Sequence, residues 1–165
     1  GLLSLLKEAF DKKLPVIVIT NQSGISRGFY SWEEFHEVNK KMFDLIGKPN
    51  PIIAIYANSH LNLTSTNWRK PNPYMIFESS KKYNINLKKS ILIGDRITDM
   101  QAGLSSGITN LIHVETGHGF KEKDEILKFV DEENCFSNNG FISKIKFLKN
   151  LIDFPYTLME NNNEY

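Results

Sequence analysis

The chain has 165 residues, 41% hydrophobic and 24% charged, which is the balance of a single soluble globular domain able to build a sizeable core. Twenty Lys and Arg against 19 Asp and Glu leave a net charge of +1, so no whole-chain field draws a polyanion such as nucleic acid, while small anions stay open. A single cysteine, Cys135, excludes an intramolecular disulfide and a cysteine zinc cage; with no apolar run near ~18 residues and no basic segment ahead of Leu2-Leu3, the expected setting is the cytoplasm, with no membrane partner.

Leu2, Leu3, Leu6 and Phe10 recur at helical spacing until Pro15, and Val16-Ile17-Val18-Ile19 then reads as a buried strand. Ser31-x-x-Glu34 is a capping-box signature, followed by Phe35, Val38, Met42, Leu45 and Ile46 on one face of a helix that stops at Gly47 and Pro49. Residues 52–56 form a second strand, residues 58–67 a polar loop, and Pro71 and Pro73 precede a helix reaching Tyr83. Ile91-Leu92-Ile93 is a third strand, and Thr98-x-x-Gln101 predicts the cap of the next helix, which stops near Gly107. Leu111-Ile112-His113-Val114 reads as a fourth strand, residues 124–130 as a short helix, and residues 141–152 as a last amphipathic helix with Ile142, Ile145, Leu148 and Ile152 aligned.

Residues 1–155 are expected to form the core and residues 156–165 a disordered tail, because Glu160 to Glu164 is too polar to pack. Continuous Val/Ile/Leu runs alternating with helices predict a doubly wound α/β fold, a parallel sheet covered on both faces. Ligands of such sheets bind beyond the carboxyl ends of the strands, where Thr20, Asp95 and the loop after Tyr56 fall.

Those strand ends carry groups suited to a phosphate. Thr20 offers a hydroxyl and a backbone N–H, and Asn21, Gln22 and Ser23 continue as a polar turn of donors. Lys70 suits a point charge on a transferring phosphoryl group, and Arg69 a bidentate contact to a second phosphate or a carboxylate. Asp95 offers oxygen to a hard cation such as Mg²⁺, which takes only one or two protein carboxylates. Asp99 suits a supporting or capping role behind it, and Arg96 a contact to substrate phosphate. His36, His60, His113 and His118 have no spacing that suggests a metal site or a triad.

Three segments, Thr20-Asn21-Gln22-Ser23-Gly24-Ile25 with Arg27-Gly28, Arg69-Lys70-Pro71 with Pro73 and Met75, and Gly94-Asp95-Arg96-Ile97-Thr98-Asp99, resemble in order and spacing the motifs of the haloacid dehalogenase-like phosphatases. The likeness runs over residues 1–119 and is greatest to the branch of the heptose 1,7-bisphosphate and histidinol-phosphate phosphatases. It implies a Mg²⁺-dependent phosphomonoesterase of a small phosphorylated metabolite, with Thr20 and Lys70 in the catalytic machinery and an aspartyl-phosphate formed on an Asp-x-Asp motif. A heptose 1,7-bisphosphate is the first substrate implied; histidinol phosphate and a polynucleotide 3′-phosphate are alternatives, and a non-catalytic phosphate-binding protein is the rival from another class. The Asp-x-Asp strand has no counterpart in this sequence, so the chain by itself is expected to be inactive and its sheet to lack the central strand between residues 16–20 and 91–95. Relatives often carry Lys where this chain has Arg96, and three cysteines and a histidine for zinc in the loop where it has residues 57–68. With no thiolate there, no zinc is expected.

Overall fold

A computed structural model describes residues 1–62, 64 and 67–162 of the chain. Helix α1 (Leu2–Asp11) buries Leu5, Leu6 and Ala9, and the chain reverses at Lys13 (φ 57°) into β1 (Val16–Asn21). One turn of helix, α2 (Ser23–Ser26), leads to α3 (Trp32–Ile46), where both bonds of the Ser31–Glu34 capping box form and Gly47 (φ 72°) ends the helix. β2 (Ile52–Asn58), α4 (Tyr74–Tyr83), β3 (Ile91–Gly94), α5 (Ile97–Ser106), β4 (Asn110–Val114) and α6 (Gly119–Leu127) complete the alternation.

The strands form two sheets. β1 and β2 pair in parallel; with β5 (Cys135–Asn138) and β6 (Phe141–Leu148), the order β3-β4-β6-β5 makes a second sheet that is parallel except for β5 at its edge. β1 and β3 do not pair, so the strands are interrupted between them. Helices cover both faces of the larger sheet. On one, Ile76, Met100, Leu104 and Ile126 of α4, α5 and α6 pack on Leu92, Leu111 and Ile145; on the other, Leu5 and Ala9 of α1 pack on Ile112 and Val114. This alternation of Leu111 and Ile112 between faces is the doubly wound arrangement.

Three expectations change. Residues 141–152 are not a helix: Phe141–Leu148 is β6, paired to β4 and β5, followed by a short 3₁₀ turn at Leu151–Asp153. Ile142, Ile145 and Leu148 fit a helical period, but Ser143 and Ile145 face inward while Lys144 and Lys146 face out, and that period of two prevails. The turn before it, Asn139-Gly140, takes positive φ at both positions (50° and 81°), the hairpin conformation that this dipeptide favours. The short helix expected over 124–130 begins earlier, at Gly119. Finally, Tyr156–Asn162 forms 3₁₀ turns with Met159 buried beside Phe154, so packed chain extends beyond residue 155, and the rest of the expected tail, 163–165, lies outside the described residues.

Candidate active site

Lys70 lies across the interruption between β1 and β3. Its ammonium donates to the Ile19 carbonyl of β1 at 3.0 Å and pairs with Asp99 Oδ1, at the start of α5, at 2.6 Å. Both side chains are largely buried, with 10% and 8% of their surface exposed. Neither charge is left alone in this poorly solvated position, which would cost several kcal/mol of order.

Asn21, at the last position of β1, holds the Lys70 backbone from both sides: its Nδ2 donates to the Lys70 carbonyl (3.1 Å) and its Oδ1 accepts from the Lys70 N–H (3.0 Å). A side-chain amide thus substitutes for a rung of backbone pairing. Gln22 donates to Thr20 Oγ1 (2.8 Å) and accepts from the Tyr30 hydroxyl, fixing the Thr20 hydroxyl near the end of β1. Ser23 opens α2 half-buried.

Asp99 has a second task. Its Oδ2 accepts from the backbone N–H groups of Asp95 (3.2 Å) and Arg96 (3.0 Å), so it caps α5, while Thr98 lies inside the helix rather than at its cap. Gly94 makes this possible, because a Cβ there would lie 2.6 Å from Asp99 Oδ2. Asp95 is held from the other side by the loop after β4: His118 N–H donates to its Oδ2 (2.8 Å), and Gly117, at φ +62°, would set a Cβ 2.4 Å from the same oxygen. Fully buried His113 supports that loop through a hydrogen bond between Nε2 and the Gly119 carbonyl (3.0 Å).

Among the described residues no group of three or more His, Cys, Asp or Glu side chains could enclose a metal. Asp95 still fits a cation that draws most of its ligands from water and phosphate, since one of its oxygens is pinned by a backbone amide and the other is not. Asp99 is committed to Lys70 and the α5 amides.

Thr20, Asn21, Gln22, Lys70, Asp95 and Asp99 therefore form one connected constellation. The two arginines turn elsewhere. Arg69 Nη1 donates to the His60 carbonyl (3.0 Å), and Arg96 lies 3.7 Å from Glu122, whose carboxylate also accepts from Ile97 N–H. The loop between β2 and α4 is tied by amides: Asn67 Nδ2 donates to the Asn62 carbonyl (2.6 Å), its Oδ1 accepts from Arg69 N–H (3.1 Å), and Asn72 donates to the carbonyls of Thr64 and Asn67. Sequence reasoning missed Gly117, His118 and Asn67; the Thr116-Gly117-His118-Gly119 turn directly after a strand was the available signal for the first two.

Comparison with known proteins places these residues in a family. The HAD-hydrolase-like family model matches residues 67–134, which include Arg69, Lys70, Asp95 and Asp99. Over 149 residues the chain is 38% identical to D-glycero-alpha-D-manno-heptose-1,7-bisphosphate 7-phosphatase of Photorhabdus laumondii, covering 85% of this chain and 78% of that relative. The chain belongs to the haloacid dehalogenase-like phosphatases. Within this family it is also 35% identical over 103 residues to D-glycero-beta-D-manno-heptose-1,7-bisphosphate 7-phosphatase of Mesorhizobium japonicum, a match over 58% of this chain and 48% of that relative's length. The haloacid dehalogenase-like fold is shared with the crystal structure of D,D-heptose 1,7-bisphosphate phosphatase from B. bronchiseptica, itself complexed with magnesium and phosphate. That superposition has a TM-score of 0.77, 22% identity, and coverage of 96% of this chain and 82% of the other.

Proposed function

We propose that the chain is a Mg²⁺-dependent phosphomonoesterase that removes phosphate from a small phosphorylated sugar in the cytoplasm, its substrate a manno-heptose 1,7-bisphosphate cleaved at the 7-phosphate. The observation that carries this reading is Lys70, suspended over the interruption between β1 and β3 with Thr20 on one bank and Asp95 on the other. A parallel strand seated in the interruption would end beside all three. An aspartate at that end would attack phosphorus, its carboxylate oxygen forming the new P–O bond as the bond to the sugar oxygen breaks. The departing oxygen would take a proton from a second carboxylic acid on the same strand, and water would then hydrolyse the aspartyl-phosphate to phosphate and free carboxylate.

Within this scheme Lys70 offsets charge on the phosphoryl oxygens, and the Thr20 hydroxyl and the amides from Asn21 to Ser23 donate to them. Asp95 would hold Mg²⁺, which supplies further compensation of phosphate charge. Asp99 keeps Lys70 oriented, and Arg96 reaches substrate phosphate only by leaving Glu122. The partner is a small phosphorylated metabolite, with neither nucleic acid nor membrane involved; among the described residues no helix is long and apolar enough to cross a membrane.

The test supplies a parallel strand ending in Asp-x-Asp, fused ahead of α1 or added as a peptide. Mg²⁺-dependent phosphate release from the heptose bisphosphate is expected with it and not without it, and is lost on Lys70→Met. Release by the chain alone that Asp95→Asn abolishes would overturn the need for the added strand, and no release with the strand in place would overturn the phosphatase reading.

A further inference from the structure

β4 reads Asn-Leu-Ile-His-Val, and the imidazole of His113 within it is completely buried. A polar ring taken out of water costs free energy unless it is hydrogen-bonded, so its partners decide why it is there. The ring packs edge-on to Phe147 of β6, with centroids 5.5 Å apart, and its Nδ1 has no hydrogen-bond partner among the described residues. The bond it makes is from Nε2 to the Gly119 carbonyl, at 3.0 Å. A carbonyl oxygen only accepts, so Nε2 carries the proton. Packing alone gives no reason for this residue, since an aliphatic side chain would fill the same space without an unsatisfied nitrogen.

Gly119 is pressed against the strand that carries the ring. A Cβ there would lie 1.8 Å from the Val114 carbonyl oxygen and 3.2 Å from His113 Cε1, a close approach that only glycine permits. The Gly119 N–H donates to the Thr116 carbonyl (3.0 Å), which closes the turn over residues 116–119. The chain entering this turn is fixed by the Glu115 N–H on the Leu148 carbonyl (2.9 Å), and the chain leaving it by the His113 bond. Across the turn, Gly117 has no room for a side chain beside Asp95 Oδ2, and the His118 N–H donates to that same oxygen. One four-residue turn therefore connects the His113 ring to the Asp95 carboxylate.

We infer that His113 is a positioning residue of the cation site. By holding the Gly119 carbonyl it fixes the turn whose His118 amide occupies one oxygen of Asp95 and leaves the other for the cation. The inference rests on the reading of Asp95 as the cation ligand. His113 acts through the turn, and groups that orient a metal ligand in this way change metal affinity by about 10–100-fold when removed.

The test uses the full chain with Mn²⁺, followed by electron paramagnetic resonance. His113→Leu keeps the bulk and removes the donor, His113→Gln keeps a side-chain N–H donor, and Ile126→Val trims a fully buried side chain of α6 away from the bond. Mn²⁺ affinity is expected to fall about tenfold in His113→Leu, to stay within about threefold in His113→Gln and to be unchanged in Ile126→Val. The urea midpoint of His113→Leu should move no further than that of Ile126→Val. Amide hydrogen exchange should show the His118 N–H exchanging faster in His113→Leu alone, and nitrogen NMR of the His113 ring should find its proton on Nε2.

Unchanged Mn²⁺ affinity in His113→Leu, with binding still abolished by Asp95→Asn, would overturn the inference and leave the cation site standing. Mn²⁺ binding indifferent to Asp95→Asn, or absent from the wild type, would overturn the reading of Asp95 and the inference with it. A tenfold loss shared by His113→Gln or by Ile126→Val would assign His113 to packing alone. A proton on Nδ1 would remove the donor through which the ring holds the turn, and would overturn the inference as well.

Discussion

β1 and β4 each carry a short apolar run in a parallel sheet and are buried very differently. In β4 four of five residues are buried, whereas in β1, which reads Val-Ile-Val-Ile-Thr-Asn, none of the six is. Both lie in the same α/β alternation with helices nearby. β4 has a strand on either side, and β1 has one only on the side of β2. Apolar composition thus specifies that a segment will be a strand, while its burial depends on neighbours that the segment does not itself encode. Lys70 links β1 to the start of α5, which follows β3.

Filling the interruption should erase this difference, and it is the largest effect expected. Each buried N–H or C=O left unpaired costs about 1–3 kcal/mol, and several of them compare with the ~5–15 kcal/mol stability of a whole domain. Adding a parallel strand should raise the midpoint of a calorimetric melt by about 10 °C or more, at ~2–4 °C per kcal/mol for a chain of this size. Without it, the chain should aggregate through its open strand edges. A cooperative, monomeric melt that gains nothing from the strand would show that the two sheets need no further pairing.

Cutting the link should come next. Lys70→Met strands the Asp99 carboxylate in a largely buried position, a change worth about 3–5 kcal/mol in urea denaturation. Native-state hydrogen exchange should show β1 and β2 amides losing protection while those of β4 and β6 keep theirs; uniform loss would mean the two sheets open as one unit.

Gly117→Ala sharpens the comparison on the β3 side alone. The substitution strains a backbone at φ +62° by about 1–2 kcal/mol and drives a methyl group against the Asp95 carboxylate. Mn²⁺ binding followed by electron paramagnetic resonance should weaken about tenfold, with Trp32 and Trp68 fluorescence unchanged. Asn67→Ala is the counterpart on the β2 side and has the smallest of these effects on metal binding. It unties the Asn62 carbonyl and the Arg69 N–H at a cost of about 1–3 kcal/mol. It should loosen the loop carrying Arg69 without changing Mn²⁺ affinity, and metal analysis of either protein should find no stoichiometric zinc.

The same contrast explains what could be read from sequence. β1 to β4 were legible because short Val/Ile/Leu runs between helices have one straightforward meaning, and the capping box before α3 formed as written. The hairpin of β5 and β6 was not, since Ile142, Ile145 and Leu148 satisfy a helical period as well as an extended one, and only the Asn139-Gly140 turn separates the two. At the site, residue types at strand ends pointed to Thr20, Lys70 and Asp95. The partnership of Lys70 with Asp99 was not legible, because it depends on how two separate sheets face one another. Nor was the capture of Arg69 by the His60 carbonyl, a contact made by the fold of a loop whose sequence has no strong period.

The Asn21 clamp on Lys70 bears on the order in which this molecule assembles. β1 pairs with β2 across α3, and β3 pairs with β4 across α5, so each sheet closes through a short loop of chain and can form early. Asn21 sets the Lys70 backbone within the first of these units before the second is needed. The meeting of Lys70 with Asp99 is then a docking event between two preformed parts, and a refolding experiment should see it as a separate, slower phase that follows the appearance of strand structure.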